Sequence, residues 1–190
     1  FMSPDGHGGS LKALSTSGAL QDLKTRGCRY LSYFQVDNPL VSVLDPLFIG
    51  LHHLEKSELS SRMIPKTHAS EKMGVFCEVE GKLQIIEYSD LPVELAESTD
   101  STGALRFVSG SPAIHIFSVD FVERLTEGHF SLPYHRAEKK IPHYTVGGKH
   151  VNPTATNGVK LETFVFDALM FADRTVLLEA ERMTEFAPVK

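Results

Sequence analysis

Three short stretches of the chain, and a set of lysines, hold residue types that could do chemistry. The first is Asp5-Gly6-His7-Gly8-Gly9, where three glycines in four positions would let backbone approach a flat or charged ligand closely. A helix starting just after it would add partial positive charge from its N-terminus. The same loop reads equally well as a plain turn, and it is not a phosphate loop of the GxxxxGK[ST] kind. The second is Val36-Asp37-Asn38. An acid just past a buried strand sits where open α/β sheets hold ligands, and its carboxylate could hold Mg²⁺ together with phosphate oxygens. An Asp-Asn turn cap is the competing account. The third is Glu87-Tyr88-Ser89, where Glu87 could accept from sugar hydroxyls and Tyr88 could form an apolar wall; a surface strand end is the alternative. The last set is the lysines Lys139, Lys140, Lys160 and Lys190, candidate phosphate ligands that pattern alone leaves as solvated surface.

Other chemistries find no support. The nine histidines form no HExxH and no Cys/His ligand set, and no G-x-S-x-G occurs. His115, in an apolar run, reads as a core histidine. Two cysteines, Cys28 and Cys77, cannot make a disulfide scaffold and suit a reduced, cytoplasmic setting. A formal net charge of -5 gives no general attraction for nucleic acid or an anionic membrane. No apolar run approaches the roughly 20 residues of a membrane helix, and no basic, apolar leader is present.

Positioning these residues needs a framework of strands and helices. Ser10 is placed to cap a helix reaching about Arg26, with Gly27 to end it. Leu31 to Val36 reads as a buried strand, and a helix follows from about Asp45 to Lys56. Met73–Val79 and Leu83–Tyr88 form a hairpin joined by Glu80-Gly81-Lys82. Residues 90–103 are polar, a loop or irregular helix. Ile114–Phe117 is a short strand, Val119–Leu125 a helix, and 133–157 an irregular excursion. Phe164–Ala172, apolar except for Asp167, suggests a buried helix, and Thr175–Glu179 a last strand. The alternation predicts a single α/β unit over residues 1–190, with no internal repeat and no linker.

The order of segments carries more than any one of them. Pro4-Asp5-Gly6-His7-Gly8-Gly9, Tyr33-Phe34-Gln35-Val36-Asp37-Asn38-Pro39-Leu40, Glu71-Lys72-Met73-Gly74-Val75, Ile86-Glu87-Tyr88-Ser89, Asn157-Gly158-Val159-Lys160-Leu161-Glu162 and Phe164-Val165-Phe166-Asp167 resemble the UDP-sugar pyrophosphorylase family. The resemblance runs over nearly the whole chain and is nearest the UDP-N-acetylglucosamine branch, whose sugar-site strand carries Glu-Tyr-Ser. It implies a Rossmann-like, GT-A-like nucleotidyltransferase fold, a mixed sheet flanked by helices, whose N-terminal part lies upstream of Phe1. It also implies an enzyme that joins UTP to N-acetylglucosamine 1-phosphate and releases pyrophosphate, with Mg²⁺ as cofactor. By position, Gly6 and His7 would lie against the uracil and Asp37 would hold Mg²⁺. Glu87 and Tyr88 would contact the sugar, Phe164 and Phe166 would shape its acetamido pocket, and Lys160 and Lys190 would contact phosphates. Ser111 stands where the family has a sugar-binding asparagine, which leaves glucose or galactose 1-phosphate open as substrates. The family's glycine-rich, arginine-bearing loop belongs upstream, so residues 1–190 alone are expected to turn over little. A non-catalytic sugar-nucleotide binder is the alternative.

Overall fold

A computed structural model describes residues 6–128 and 130–189. The helix expected from Ser10 to Arg26 is two helices, α1 (Gly9–Thr16) and α2 (Ala19–Thr25). Gly18 separates them at φ +80°, a left-handed conformation that ends one helix and starts the next. Ser10 does not cap α1; Gly8 holds that position, and the Ser10 hydroxyl donates to the His7 carbonyl at 2.7 Å. The first strand, β1 (Tyr30–Tyr33), stops short of the expected Val36, which is 97% exposed. Helix α3 (Pro46–Leu54) begins where Asp45 accepts the backbone N–H of Leu47 at 2.8 Å, with proline in the first turn.

The sequence gives no sign of the next strand, β2 (Leu59–Pro65), although it is the centre of the sheet. Its middle reads Ser60-Ser61-Arg62, a polar run that hides the strand. Each of the three is buried because a partner from elsewhere in the chain satisfies it. Ser60 meets His52 at 2.7 Å, Ser61 meets His115 at 2.8 Å, and Arg62 pairs with Asp45 and Glu185. The hairpin is β3 (Val75–Val79) and β4 (Lys82–Ile86), with Val79 opposite Lys82. Its turn therefore has two residues, Glu80 and Gly81, both at positive φ, and Lys82 belongs to the strand.

A short helix α4 (Val93–Ala96), β5 (Ser109–Gly110), β6 (His115–Ser118) and α5 (Val119–Thr126) follow. The expected excursion is more ordered than its turn formers suggest. It holds β7 (His135–Lys139), β8 (His143–Tyr144) and β9 (His150–Val151), and β7 pairs with β10 (Gly158–Glu162) as an arm outside the main sheet. The apolar run Val165–Phe171 is a 3-10 helix rather than an α-helix. Strand β11 (Thr175–Glu179) and α6 (Arg182–Glu185) close the described chain.

The main sheet is mixed α/β in character: β1-β6-β2-β5-β3-β4, with β11 on β2. The β2–β11 pair is parallel and the others are antiparallel. One core joins sheet and helices through Leu59, Phe117, Phe121, Val165 and Leu169, all essentially solvent-free. Burying each such side chain contributes about 1.5–3 kcal/mol relative to exposure. This core fixes the ends of β1, β4, β5 and the 3-10 helix relative to one another, and those ends build the site.

Candidate functional site

A cleft of about 140 Å³ opens where β1 ends and β6 begins. His7, Asp37, Glu87, Tyr88, Ser111 and Phe166 all line it, although they come from five separate segments. Lys72, Phe186 and Pro188 complete much of the wall.

Beyond β1 the chain turns outward, and Asn38 becomes buried rather than acting as an Asp-Asn cap. Its amide donates to the Glu185 carbonyl at 2.8 Å and accepts the Ala187 N–H at 3.1 Å. The Asp37 carbonyl accepts the Val189 N–H at 2.8 Å. These three bonds lay residues 185–189 beside the cleft and carry Phe186 and Pro188 into its wall. The Asp37 carboxylate, half-buried, has no hydrogen-bond or ion-pair partner among the described residues.

The glycine loop does something different from what its composition suggests. Gly6 is at φ +87°, and a Cβ there would lie 2.3 Å from the Thr163 carbonyl oxygen. A Cβ on Gly8 would lie 2.7 Å from the Thr163 hydroxyl, and the Gly8 N–H donates to the Thr163 carbonyl at 2.9 Å. The close approach that these glycines permit is to the chain's own backbone. It sets the His7 ring against Phe164, with centroids 5.1 Å apart and planes at 22°, and beside Phe166 at 5.8 Å. His7 Nδ1 accepts the Val165 N–H at 3.1 Å, which leaves Nε2 to carry the proton. Burial lowers the His7 pKa, with Glu162 opposing, so the ring is a neutral donor.

Glu87 follows β4 and is half-buried; one carboxylate oxygen accepts the Tyr88 N–H at 3.0 Å. Burial raises its pKa against that bond, and the Asp90 and Asp167 carboxylates raise it further. Behind it, His135 spans Asp90 (Nδ1, 3.0 Å) and Asp167 (Nε2, 2.9 Å) and packs on Phe164 with centroids 4.4 Å apart. Both carboxylates only accept when ionised, so both imidazole nitrogens must donate. Burial works against that charge, but the two acids outweigh it and hold the His135 pKa above its ordinary value. Sequence reasoning missed this support. The available signal was Asp167, a lone acid in an apolar run that required a distant donor.

Ser111 donates its backbone N–H to the Gly74 carbonyl at 2.8 Å, and its hydroxyl accepts the Ala113 N–H at 3.3 Å. The hydroxyl proton remains able to donate. Ala113 sits at φ +57°, a conformation costly for a non-glycine residue. Lys72, which the sequence reading left without a role, lines the cleft with no ion pair among the described residues.

Three predicted site residues do not line the cleft. Lys160, on β10, is ion-paired to Glu162 at 2.6 Å and does not line the cleft. Phe164 supports the wall from behind His7, and Gly6 packs on Thr163. Lys190 lies outside the described residues. Lys139 and Lys140 are exposed on and after β7. Among the described residues, no group of three or more His, Cys, Asp or Glu could hold a metal ion. Of the two carboxylates lining the cleft, Asp37 and Glu87, Asp37 is the one with no partner among the described residues. A divalent cation would fit there only if ligand oxygens complete its shell, as Mg²⁺ bound with phosphates commonly does.

The family described as "UTP--glucose-1-phosphate uridylyltransferase" matches residues 1–190. The chain is 40% identical over 191 residues to UDP-N-acetylhexosamine pyrophosphorylase-like protein 1 of Xenopus tropicalis, covering all of this chain and 37% of that protein. It is 38% identical over 193 residues to the UDP-N-acetylglucosamine pyrophosphorylase of Saccharomyces cerevisiae, covering all of this chain and 40% of that protein. Among solved structures, one from Entamoeba histolytica assigned to the UDP-N-acetylglucosamine pyrophosphorylases superposes with a TM-score of 0.89 at 34% identity. That match covers all of this chain and 47% of the other. The chain thus spans about two-fifths of the length of these curated relatives and under half of that structure.

Proposed function

We propose a function from one premise: the chain belongs to the UTP--glucose-1-phosphate uridylyltransferase family. The complete protein transfers a uridylyl group from UTP to N-acetylglucosamine 1-phosphate, giving UDP-N-acetylglucosamine and pyrophosphate. A phosphate oxygen of the sugar 1-phosphate forms the new bond to the α-phosphorus of UTP, and the bond to the bridging oxygen breaks as pyrophosphate leaves. No covalent enzyme intermediate is required. Catalysis is then positioning and charge neutralisation. The observation that carries this is the meeting of His7, Asp37, Glu87, Tyr88, Ser111 and Phe166 in one cleft.

The roles follow from what each group can do. The fixed Nε2–H of His7 donates to an acceptor on the base, beside the aromatic wall. Glu87 accepts sugar hydroxyls while Tyr88 covers the ring. Phe166, backed by Phe164, gives the acetamido methyl an apolar surface. Asp37 would hold Mg²⁺, which when bound neutralises phosphate charge. Lys160 would have to leave Glu162 to reach a phosphate, so Lys72 is the better-placed cation on this chain.

Ser111 favours a second reading, in which the sugar is not N-acetylated or the protein binds UDP-sugar without turning it over. A substrate panel on the complete natural polypeptide, with UTP, Mg²⁺ and N-acetylglucosamine, glucose and galactose 1-phosphates, decides between them. N-acetylglucosamine 1-phosphate should be the preferred substrate, and Asp37→Ala should lose at least about 100-fold in turnover without loss of fold. UDP-sugar binding without pyrophosphate release would replace the enzyme reading with the binder. Residues 1–190 alone should turn over little.

The mixed sheet suits the larger Rossmann-like, GT-A-like nucleotidyltransferase fold, completed by chain outside these residues. The two free cysteines suit a cytoplasmic setting, and no described helix is long and apolar enough to cross a membrane.

A further inference from the structure

A second cavity, larger than the cleft, is present. It lies at the opposite end of the sheet, where β1 begins, β6 ends and the turn from α3 enters β2, and it measures about 630 Å³. That volume falls in the range of small-molecule sites. Its walls carry Arg29, Lys56, Arg124 and Arg174 against two carboxylates, Glu58 and Asp120.

The charges do not cancel. Glu58 is fully engaged: one oxygen takes Arg124 at 2.7 Å and the other accepts the Asp173 N–H at 2.7 Å. Asp120 is almost wholly exposed and faces Lys24 at 4.0 Å. Arg29, Lys56 and Arg174 are left with no carboxylate within ion-pair distance among the described residues. All three are exposed on the rim of the cavity, so the local charge there is positive on a chain of formal net charge -5.

Their placement is also constrained. Arg174 Nε donates to the Lys56 carbonyl at 2.7 Å, which leaves its terminal nitrogens to donate elsewhere. Arg29 lies over the Tyr30 ring at 5.6 Å, and the Tyr30 hydroxyl meets His53 Nδ1 at 2.6 Å. Lys56 occupies the left-handed position after α3 at φ +51°, where glycine would sit without strain. Below them, His52 is fully buried with both nitrogens on hydroxyls, Ser60 and Ser118. The floor is therefore neutral and rigid, and the charge lies at the rim.

We propose that this cavity is a second binding site, separate from the cleft, for a phosphate-bearing small molecule held by Arg29, Lys56 and Arg174. Guanidinium and ammonium groups that line one cavity without carboxylate partners match a phosphate dianion. This inference does not depend on the function assigned to the cleft.

The test is hydrogen exchange read by mass spectrometry on the complete natural polypeptide, titrated with inorganic phosphate at constant ionic strength set by KCl. Peptides spanning residues 29–31 and 53–59 should gain saturable protection. In Arg29→Gln/Lys56→Gln the phosphate concentration for half-protection should rise about tenfold or more, while Asp37→Ala should leave it unchanged. Protection equal in the double variant, reproduced by KCl alone, or abolished by Asp37→Ala would each overturn the site. So would no protection at all, the result expected if other parts of the polypeptide already fill the cavity.

Discussion

At the scale of single residues, the cleft shows how much a side chain's meaning depends on its neighbours. Gly6 has the composition of a ligand loop, yet its missing Cβ serves the approach to Thr163. Gly6→Ala combines a left-handed φ with a 2.3 Å contact against a carbonyl oxygen. The strain alone costs about 1–3 kcal/mol, and the clash should displace His7 as well. A urea unfolding midpoint unchanged from wild type would show that the loop moves freely and that His7 is not held by it. Ser111 makes the complementary case about specificity. Its hydroxyl offers one donor, whereas an asparagine amide offers two. Ser111→Asn should therefore raise the preference for N-acetylglucosamine 1-phosphate over glucose 1-phosphate about fivefold to tenfold, the worth of one added hydrogen bond at about 1–1.5 kcal/mol. The ratio of kcat/KM for the two sugars measures it, and a ratio that stays flat or falls would take Ser111 away from the sugar.

At the scale of elements, the wall of the cleft rests on β7 and the 3-10 helix, joined by His135 to Asp90 and Asp167. The sign of the pH effect follows from the raised pKa of His135. A histidine held above its ordinary value stabilises the fold fully below about pH 6.5, the value of the unfolded chain. That contribution is lost as pH rises through the higher folded value. The neutral ring has one N–H, so one of the two acids then loses its donor. His135→Gln should thus destabilise the protein most at pH 5.5–6 and least near pH 9, read as the Tm difference from wild type across that range. A difference that grows with pH would mean the ring is neutral in the native state. Asn38 joins elements in another way, through two side-chain hydrogen bonds to residues 185 and 187. Asn38→Ala should cost about 1–3 kcal/mol and speed protease cutting after residue 181, with cutting unchanged if the segment is held by packing alone. Much of this layer was legible beforehand: α3, the hairpin and α5 all stand close to where the sequence places them. The His135 network was not, because its members are 45 and 32 residues apart and no local pattern links them.

At the scale of the molecule, the least legible strand is the one that organises the rest. Local apolar pattern reports which face of an element is buried, but β2 is buried on a polar run, so its signal lies in partners brought by the fold. Arg62 is the clearest instance. It is 5% exposed, pairs with Asp45 and with Glu185 (2.8 Å), and covers the Phe48 ring at 4.9 Å. Asp45 in turn caps α3, and Glu185 ends α6 beside the residues that Asn38 holds. One guanidinium thus ties the central strand to a helix start and to the segment that walls the cleft. Removing it leaves two largely buried carboxylates without their cation, a loss of about 3–5 kcal/mol. Arg62→Ala should therefore approach the whole stability margin of a domain. Arg62→Met, which keeps packing but not charge, should be little better, since the acids remain; Arg62→Met with Asp45→Asn and Glu185→Gln should recover a large part. Arg182, paired with Glu71 but more exposed, supplies the control: Arg182→Ala should cost far less. Guanidinium unfolding of the four variants measures this, and equal losses for Arg62→Ala and Arg182→Ala would show that the central strand is held by its ladder and core, with the buried charge incidental.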